Sequence, residues 1–194
     1  MADRMDEAAA ALRRFLEALE LPVDGDPELA GTPMRVARAW RDELVDGYRR
    51  TPAEVLGDSL ASDERGLVVL HGIAYTSMCP HHLMPSEGRA HVGYVPGGRI
   101  AGLGTLVQLV ECLAHRLVLQ ESLGRQIAEA LVEHLGARAA GVVLEGRHAC
   151  LALRGERQSS ARVVTSAFAG AWSDDVGARR EFLDAVALGA GGAG

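Results

Sequence analysis

Aromatic side chains are scarce in this chain, with two Trp, three Tyr and three Phe among 194 residues. A core of ordinary size must therefore be built mainly from Ala, Val and Leu. Cysteine is scarcer still. Three of them cannot frame a disulfide scaffold, so a reducing cytoplasm is the expected setting. Excess positive charge is also missing: the formal net charge is -6, and a duplex binder needs a basic surface to displace counterions, so no nucleic-acid partner is expected. No apolar run approaches the roughly eighteen residues that a membrane span needs, which excludes a helical membrane anchor. The start, Met1-Ala2-Asp3-Arg4-Met5-Asp6, lacks the apolar core of a secretion signal. The length allows one domain plus an appendage.

What the chain does hold is two short windows rich in metal-ligand residues. Ser77-Met78-Cys79-Pro80-His81-His82 and Arg147-His148-Ala149-Cys150 contain two of the three cysteines and three of the seven histidines. Zinc takes thiolate and imidazole ligands tetrahedrally, and a catalytic site uses three protein ligands so that the fourth position can hold water. Cys79 and His82 can reach one ion from a single turn, and Cys150 closes the set from a distant strand. The expected cofactor is Zn2+ in a Cys2His site with one open position. A single Cys-x-x-His is a weak signal, and a buried cysteine beside surface histidines is the plainer reading. His81 and His148 flank the ligands and read as proton-transfer groups. A closed Cys2His2 structural zinc, with one of those two as fourth ligand, stays open.

Apolar residues recur at helical spacing from Asp6 to Leu21 (Leu12, Phe15, Leu16, Leu19), and Pro22 and Gly25 end that helix. Thr32 and Pro33 open a second helix, expected to reach Tyr48. Arg35 and Arg38 on it are either a solvated face or a phosphate contact. Residues 49–65 read as a charge-rich connection. Strands are expected at Gly66–Ile73 and Gly88–Val95 with the metal motif in the loop between them; His91 reads as a strand residue rather than a ligand. A turn at Pro96-Gly97-Gly98-Arg99 leads to helices at Thr105–Leu119 and Glu121–Leu135. Short strands follow at Gly141–Glu145, Ala149–Arg154 and Ala161–Ser166. Cys112, on an apolar helical face, reads as a small buried hydrophobe.

This order gives an α+β fold, an antiparallel four-stranded sheet with two helices on one face. An N-terminal helical segment over residues 1–60 precedes the main domain at 61–187, and the Gly/Ala tail at 188–194 is expected to be disordered. Two open sheet edges invite edge-to-edge pairing, so a homo-oligomer is expected.

The motifs go further than a fold class. The Cys79-Pro80-His81-His82 window, then His91-Val92-Gly93-Tyr94-Val95-Pro96, Gly102-Leu103, Gln120-Glu121, and His148-Ala149-Cys150 with Leu153-Arg154-Gly155 resemble the GTP cyclohydrolase I family in order and spacing. The likeness runs from Thr32 to Leu183. It implies a T-fold whose subunits close into pentameric rings that stack as a decamer, with active sites at subunit seams. It also implies a purine nucleotide substrate: the imidazole ring of GTP is opened at C8, formate leaves, and 7,8-dihydroneopterin triphosphate forms. Carried over by position, Cys79, His82 and Cys150 match the zinc ligands, His81 and His148 the histidines that move protons, and Gln120 and Glu121 the residues that hold the purine. Leu103 and Arg154 match substrate-side positions. A Glu121 carboxylate can accept two hydrogen bonds from guanine. It equally suits the first turn of a helix, where the dipole favours an acid.

The family pattern is kept unevenly. Its Ser-Lys-x-x-Arg after Gly-Leu, whose cations hold the triphosphate, is here Gly104, Thr105 and Gln108. An arginine of the next motif is Ser122, the lysine after Arg154-Gly155 is Gln158, and Ala161 and Val163 replace two hydroxyl residues. Each charge-assisted hydrogen bond contributes roughly 1.5–3 kcal/mol, so these losses weaken triphosphate binding. Three readings remain: a GTP cyclohydrolase, a paralogue acting on a guanine-type substrate without a triphosphate, and a non-catalytic assembly or regulatory homologue.

Overall fold

A computed structural model describes residues 4–190, and the chain divides into two compact units, residues 1–46 and 47–194. The first division therefore falls before the expected one at residue 60. In the first unit, α1 (Arg4–Ala18) packs on α3 (Thr32–Ala39) beside a single turn, α2 (Pro27–Ala30). Pro33 sits in the opening turn of α3, where its missing N–H has no partner to lose. The helix expected to reach Tyr48 instead widens into a π-helical stretch over Trp40–Leu44.

The second unit opens with α4 (Pro52–Leu56), held by a capping box. Thr51 Oγ1 accepts from Glu54 N at 3.3 Å while Glu54 Oε2 accepts from Thr51 N at 2.8 Å. Reading residues 49–65 as a bare connection missed this turn, because five residues are too few to show a helical period. The segment also contains β1 (Leu60–Ala61), which pairs with β4 (Arg99–Ile100).

The main sheet has the order β2-β3-β5-β6 and is antiparallel throughout: β2 (Val68–Met78), β3 (Pro85–Val95), β5 (Ala139–His148) and β6 (Val163–Gly170). Helices α5 (Leu103–Ala114) and α6 (Gln120–Glu133) cover one face. There Ala90, Val92, Tyr94, Ala140, Val142 and Leu144 meet Leu106, Leu109, Leu123, Ile127 and Leu131. All but Ala90 and Ala140 among these are larger than alanine, and all are fully buried. Cys112 is buried as expected.

Two expectations fail at the C-terminal side. Ala149–Arg154 is not a strand: β3 begins at Pro85, the ladder with β5 ends at the Ser86–His148 pair, and Ala149–Ala152 turns into a short helix, α7. A strand there would have had no partner on β3. Beyond β6 lies a further helix, α8 (Arg180–Ala190). Leu188–Ala190, placed in the disordered tail, are helical; residues 191–194 lie outside the described residues. Phe182 of α8 is fully buried, stacked at 5.6 Å between ring centroids on Trp172. It lies over Gly93 and Gly141, where an added Cβ would come within 2.6 and 2.9 Å of its ring. Among the described residues, no helix is long and apolar enough to cross a membrane.

Candidate active site

Strand register builds the site. Ser77 on β2, Ser86 on β3 and His148 on β5 stand in one row across the sheet. Strands β2 and β5 run the same way, since each is antiparallel to β3. Two residues past that row lie Cys79 and Cys150, so equal offsets bring two cysteines, seventy-one positions apart, to the same edge. The row itself is tied by a 2.7 Å hydrogen bond between the buried Ser77 and Ser86 hydroxyls.

The loop between β2 and β3 supplies a third residue able to bind metal. Cys79 N donates to Met84 O at 2.9 Å and Leu83 N to Cys79 O at 2.9 Å, closing a tight loop that needs Leu83 at a φ of 52°. This places His82 Nδ1 3.9 Å from Cys79 Sγ. Among the described residues, Cys79, His82 and Cys150 are the group whose ligating atoms all lie within 4.8 Å of one another. Cys79 is buried, Cys150 half-buried and His82 exposed. Burial, and then the neighbouring Cys79, push the Cys150 thiol above its ordinary range. A divalent ion is the counter-charge that would favour the ionised Cys150 thiol there.

The same cleft is lined by His81, Gln120, Glu121 and His148. Gln120 opens α6 and is 3% exposed. Its amide nitrogen donates to Leu144 O (3.2 Å), Val163 O (3.0 Å) and Thr165 Oγ1 (3.1 Å). Its Oε1 accepts from the Tyr75 hydroxyl (3.2 Å) and lies 3.0 Å from His148 Nε2. Three acceptors around one end fix which atom is the amide nitrogen, so Oε1 faces His148 and Nε2 of that ring must carry the hydrogen. Nδ1 is then the nitrogen of His148 that can take a proton. Burial lowers the affinity of His148 for a second proton, opposed by the Glu121 carboxylate. The Tyr75 hydroxyl is pushed up to about 12, mainly by burial and then by Glu145, and stays a donor. Gly146 leaves the room: a Cβ there would collide with Gln120 Oε1 and stand 2.8 Å from the Tyr75 oxygen.

A sequence profile of the family described as GTP cyclohydrolase I matches residues 8–187. Curated proteins named GTP cyclohydrolase 1 align along most of the chain. That of Chromobacterium violaceum is 42% identical over 162 residues, covering 83% of this chain and 79% of its own. That of Mycobacterium ulcerans is 42% identical over 184 residues (92% and 89%), and that of Corynebacterium glutamicum 40% over 186 residues (93% and 92%).

The chain belongs to the GTP cyclohydrolase I family. It is accordingly a hydrolase of the kind that acts on a cyclic amidine C–N bond. Against that family's motifs the structure sorts the expected residues into two groups. Cys79, His81, His82, Gln120, Glu121, His148 and Cys150 share one cleft. Leu103 and Arg154 do not line it: Leu103 is 62% exposed at the start of α5, and Arg154 is exposed just after α7. Gln108 is exposed and Thr105 half-buried on the first turns of α5. Tyr75 and Gly146 were not found from sequence, because the contact that gives each its role lies 45 and 26 positions away in the chain.

Proposed function

We propose that this chain is a zinc-dependent cyclohydrolase that opens the imidazole ring of GTP at C8, releases that carbon as formate and forms 7,8-dihydroneopterin triphosphate. The observation that carries the reading is the convergence of Cys79, His82 and Cys150 in one cleft with two further histidines and Glu121. Two thiols and an imidazole are the donor set that suits zinc rather than magnesium or calcium. Zinc held by these three side chains would supply a Lewis acid and water acidified to near neutrality.

The chain's own groups divide the remaining work. His148, neutral and anchored through Nε2–H to Gln120, takes a proton at Nδ1. His81, exposed in the cleft, delivers a proton to the ring nitrogen next to the opening bond. Glu121, exposed at the start of α6, accepts from the guanine N1–H and amino group. Gln120 departs from the role its motif suggests. All its side-chain hydrogen-bonding directions are used inside the protein, so it positions His148 and does not hold the purine.

The assembly we read is a homo-oligomer, a decamer by family likeness, in the cytoplasm. Support comes from the outer edge of β6, from that of β2 short of Met78, which bridges to Leu117, and from the exposed Leu103, Leu153 and Val164, 62 to 65% accessible. Leu103 and Arg154, outside the cleft of their own chain, would reach substrate across such a seam. A second reading, a guanine-type substrate without triphosphate, is favoured by Gly104, Thr105 and Gln108, which put no cation on the first turns of α5. Metal-loaded protein offered GTP, GMP, guanosine and guanine separates the two. Formate and pteridine fluorescence fastest from GTP support the first reading; turnover of guanosine or guanine with GTP inert supports the second. Zinc-loaded protein inert on all four defeats both.

A further inference from the structure

A second pair of imidazoles stands on the opposite face of the sheet from the helices α5 and α6, and it belongs to no part of the cleft. Register along β2 and β3 is regular from Val68 to Leu70 and again from Ile73 to Met78, with an irregularity between Leu70 and Ile73. Leu70 pairs with Val92 and Ile73 with Ala90, so two residues, His71 and Gly72, oppose the single His91. This is a β-bulge, and Gly72 supplies the φ of 69° that it requires. Alternation from Leu70 already puts His71 on the face that His91 occupies, and the extra residue, Gly72, is absorbed beside the pair. Their Nδ1 atoms are 3.4 Å apart, with the rings edge-on at 71° and centroids 5.6 Å apart.

That separation is at the long end for a hydrogen bond and also suits two ligands on one ion. An N–H···N hydrogen bond prefers about 3.0 Å. Two nitrogens sharing one tetrahedral ion at the usual zinc–nitrogen bond length of about 2.0–2.1 Å stand about 3.4 Å apart. Both Nδ1 atoms therefore already hold the spacing of neighbouring ligands. The surroundings agree. Gly189 of α8 sits over His71, where an added Cβ would come within 2.5 Å of Nδ1, so the helix is pared back at the point of contact. His91 is half-buried. Glu145 is on β5 one step along the same face, opposite Arg89, while His91 pairs with Val143.

We infer that His71 and His91 form a second metal site, separate from the cleft, that binds a divalent transition ion of the imidazole-preferring class through both Nδ1 atoms. Water completes its coordination, and Glu145 neutralises part of the added charge. An ion there ties the bulge of β2 to β3 beneath the end of α8, so it strengthens the sheet at the end remote from the cleft.

The test uses full-length, tag-free protein stripped with a chelator. Bound Ni2+ per chain is measured after equilibrium dialysis in the wild type, Cys150→Ser, His91→Gln, His71→Gln and the Cys150→Ser/His91→Gln double variant, with circular dichroism confirming the fold of each. Two ions per chain are expected in the wild type, one in each single variant and none in the double variant. Loss of the second ion in both histidine variants, with the first retained, supports the site. One ion in the wild type that Cys150→Ser alone abolishes overturns it, as do two ions retained in both histidine variants. An unchanged two-ion stoichiometry in Cys150→Ser would instead count against the zinc site of the cleft, so the two assignments fail in different arms.

Discussion

The two halves of β2 obey opposite rules. Before the bulge, the even-numbered Val68 and Leu70 face the helices while Leu67 and Val69 lie against α8 and its neighbours; after it, the odd-numbered Ile73 and Tyr75 face the helices. A strand alternates with period two, so one extra residue moves every later side chain to the other face. The bulge absorbs that extra residue. His71 already points outward beside His91 by the alternation before it, and Tyr75 beyond it is turned inward, where its hydroxyl meets Gln120. The comparison teaches that the cleft is aimed from a distance, by an irregularity several residues upstream of the first ligand.

Deleting Ala74, just past the bulge, is the harshest way to break that relation. Losing one residue there would send Tyr75 to the solvent face or force the strand to slip, so the cooperative thermal transition should disappear. A deletion variant that melts within a few degrees of the wild type would contradict the parity argument. Gly146→Ala strikes the same network from β5: the new methyl must displace Gln120 and Tyr75, at a cost of about 1–3 kcal/mol in urea unfolding. Gln120→Ala strands the Tyr75 donor and three acceptors and frees the His148 ring. Stability should fall by about 1–3 kcal/mol, and kcat by roughly 10–100-fold with zinc content unchanged, as for other supports of a metal-site group. Unaltered kcat would remove Gln120 from its positioning role. Tyr75→Phe is milder, about 1 kcal/mol, because Oε1 keeps His148.

The smallest effect is one of pH. His91 and His148 both hold their protons less tightly in the folded chain than at the ordinary value of 6.5, each chiefly through burial. The unfolded chain then binds more protons as pH falls through that value, so metal-free protein should lose stability on acidification below about 6.5 and keep it above. Urea midpoints at pH 7.5, 6.5 and 5.5 check this. Flat midpoints in the wild type, or an unchanged slope in His91→Gln, would count against it.

Much of this molecule is readable before folding. Cys79, His82 and Cys150 stand out as residue types, and the order of strands and helices follows from alternation and helical period. The failures share a cause. Ala149–Ala152 is helix where β3 has only Pro85, without an N–H, left to offer, a fact about the partner strand. The five residues of α4 show no period, and α8 is specified by Phe182 fitting over Gly93 and Gly141, which come from two other strands. Gln120 looked like a ligand-binding residue because its neighbours fill it only in three dimensions. His91 reads as an ordinary strand position, since nothing local reveals that His71, twenty residues earlier, stands opposite it on β2.

The central claim is that Cys79, His82 and Cys150 hold one zinc ion. X-ray absorption at the zinc edge, on His91→Gln protein loaded with one equivalent, tests it directly. Two sulfur neighbours at about 2.3 Å with nitrogen or oxygen neighbours at about 2.0–2.1 Å are predicted. A shell of nitrogen and oxygen alone, with no sulfur, would contradict the account.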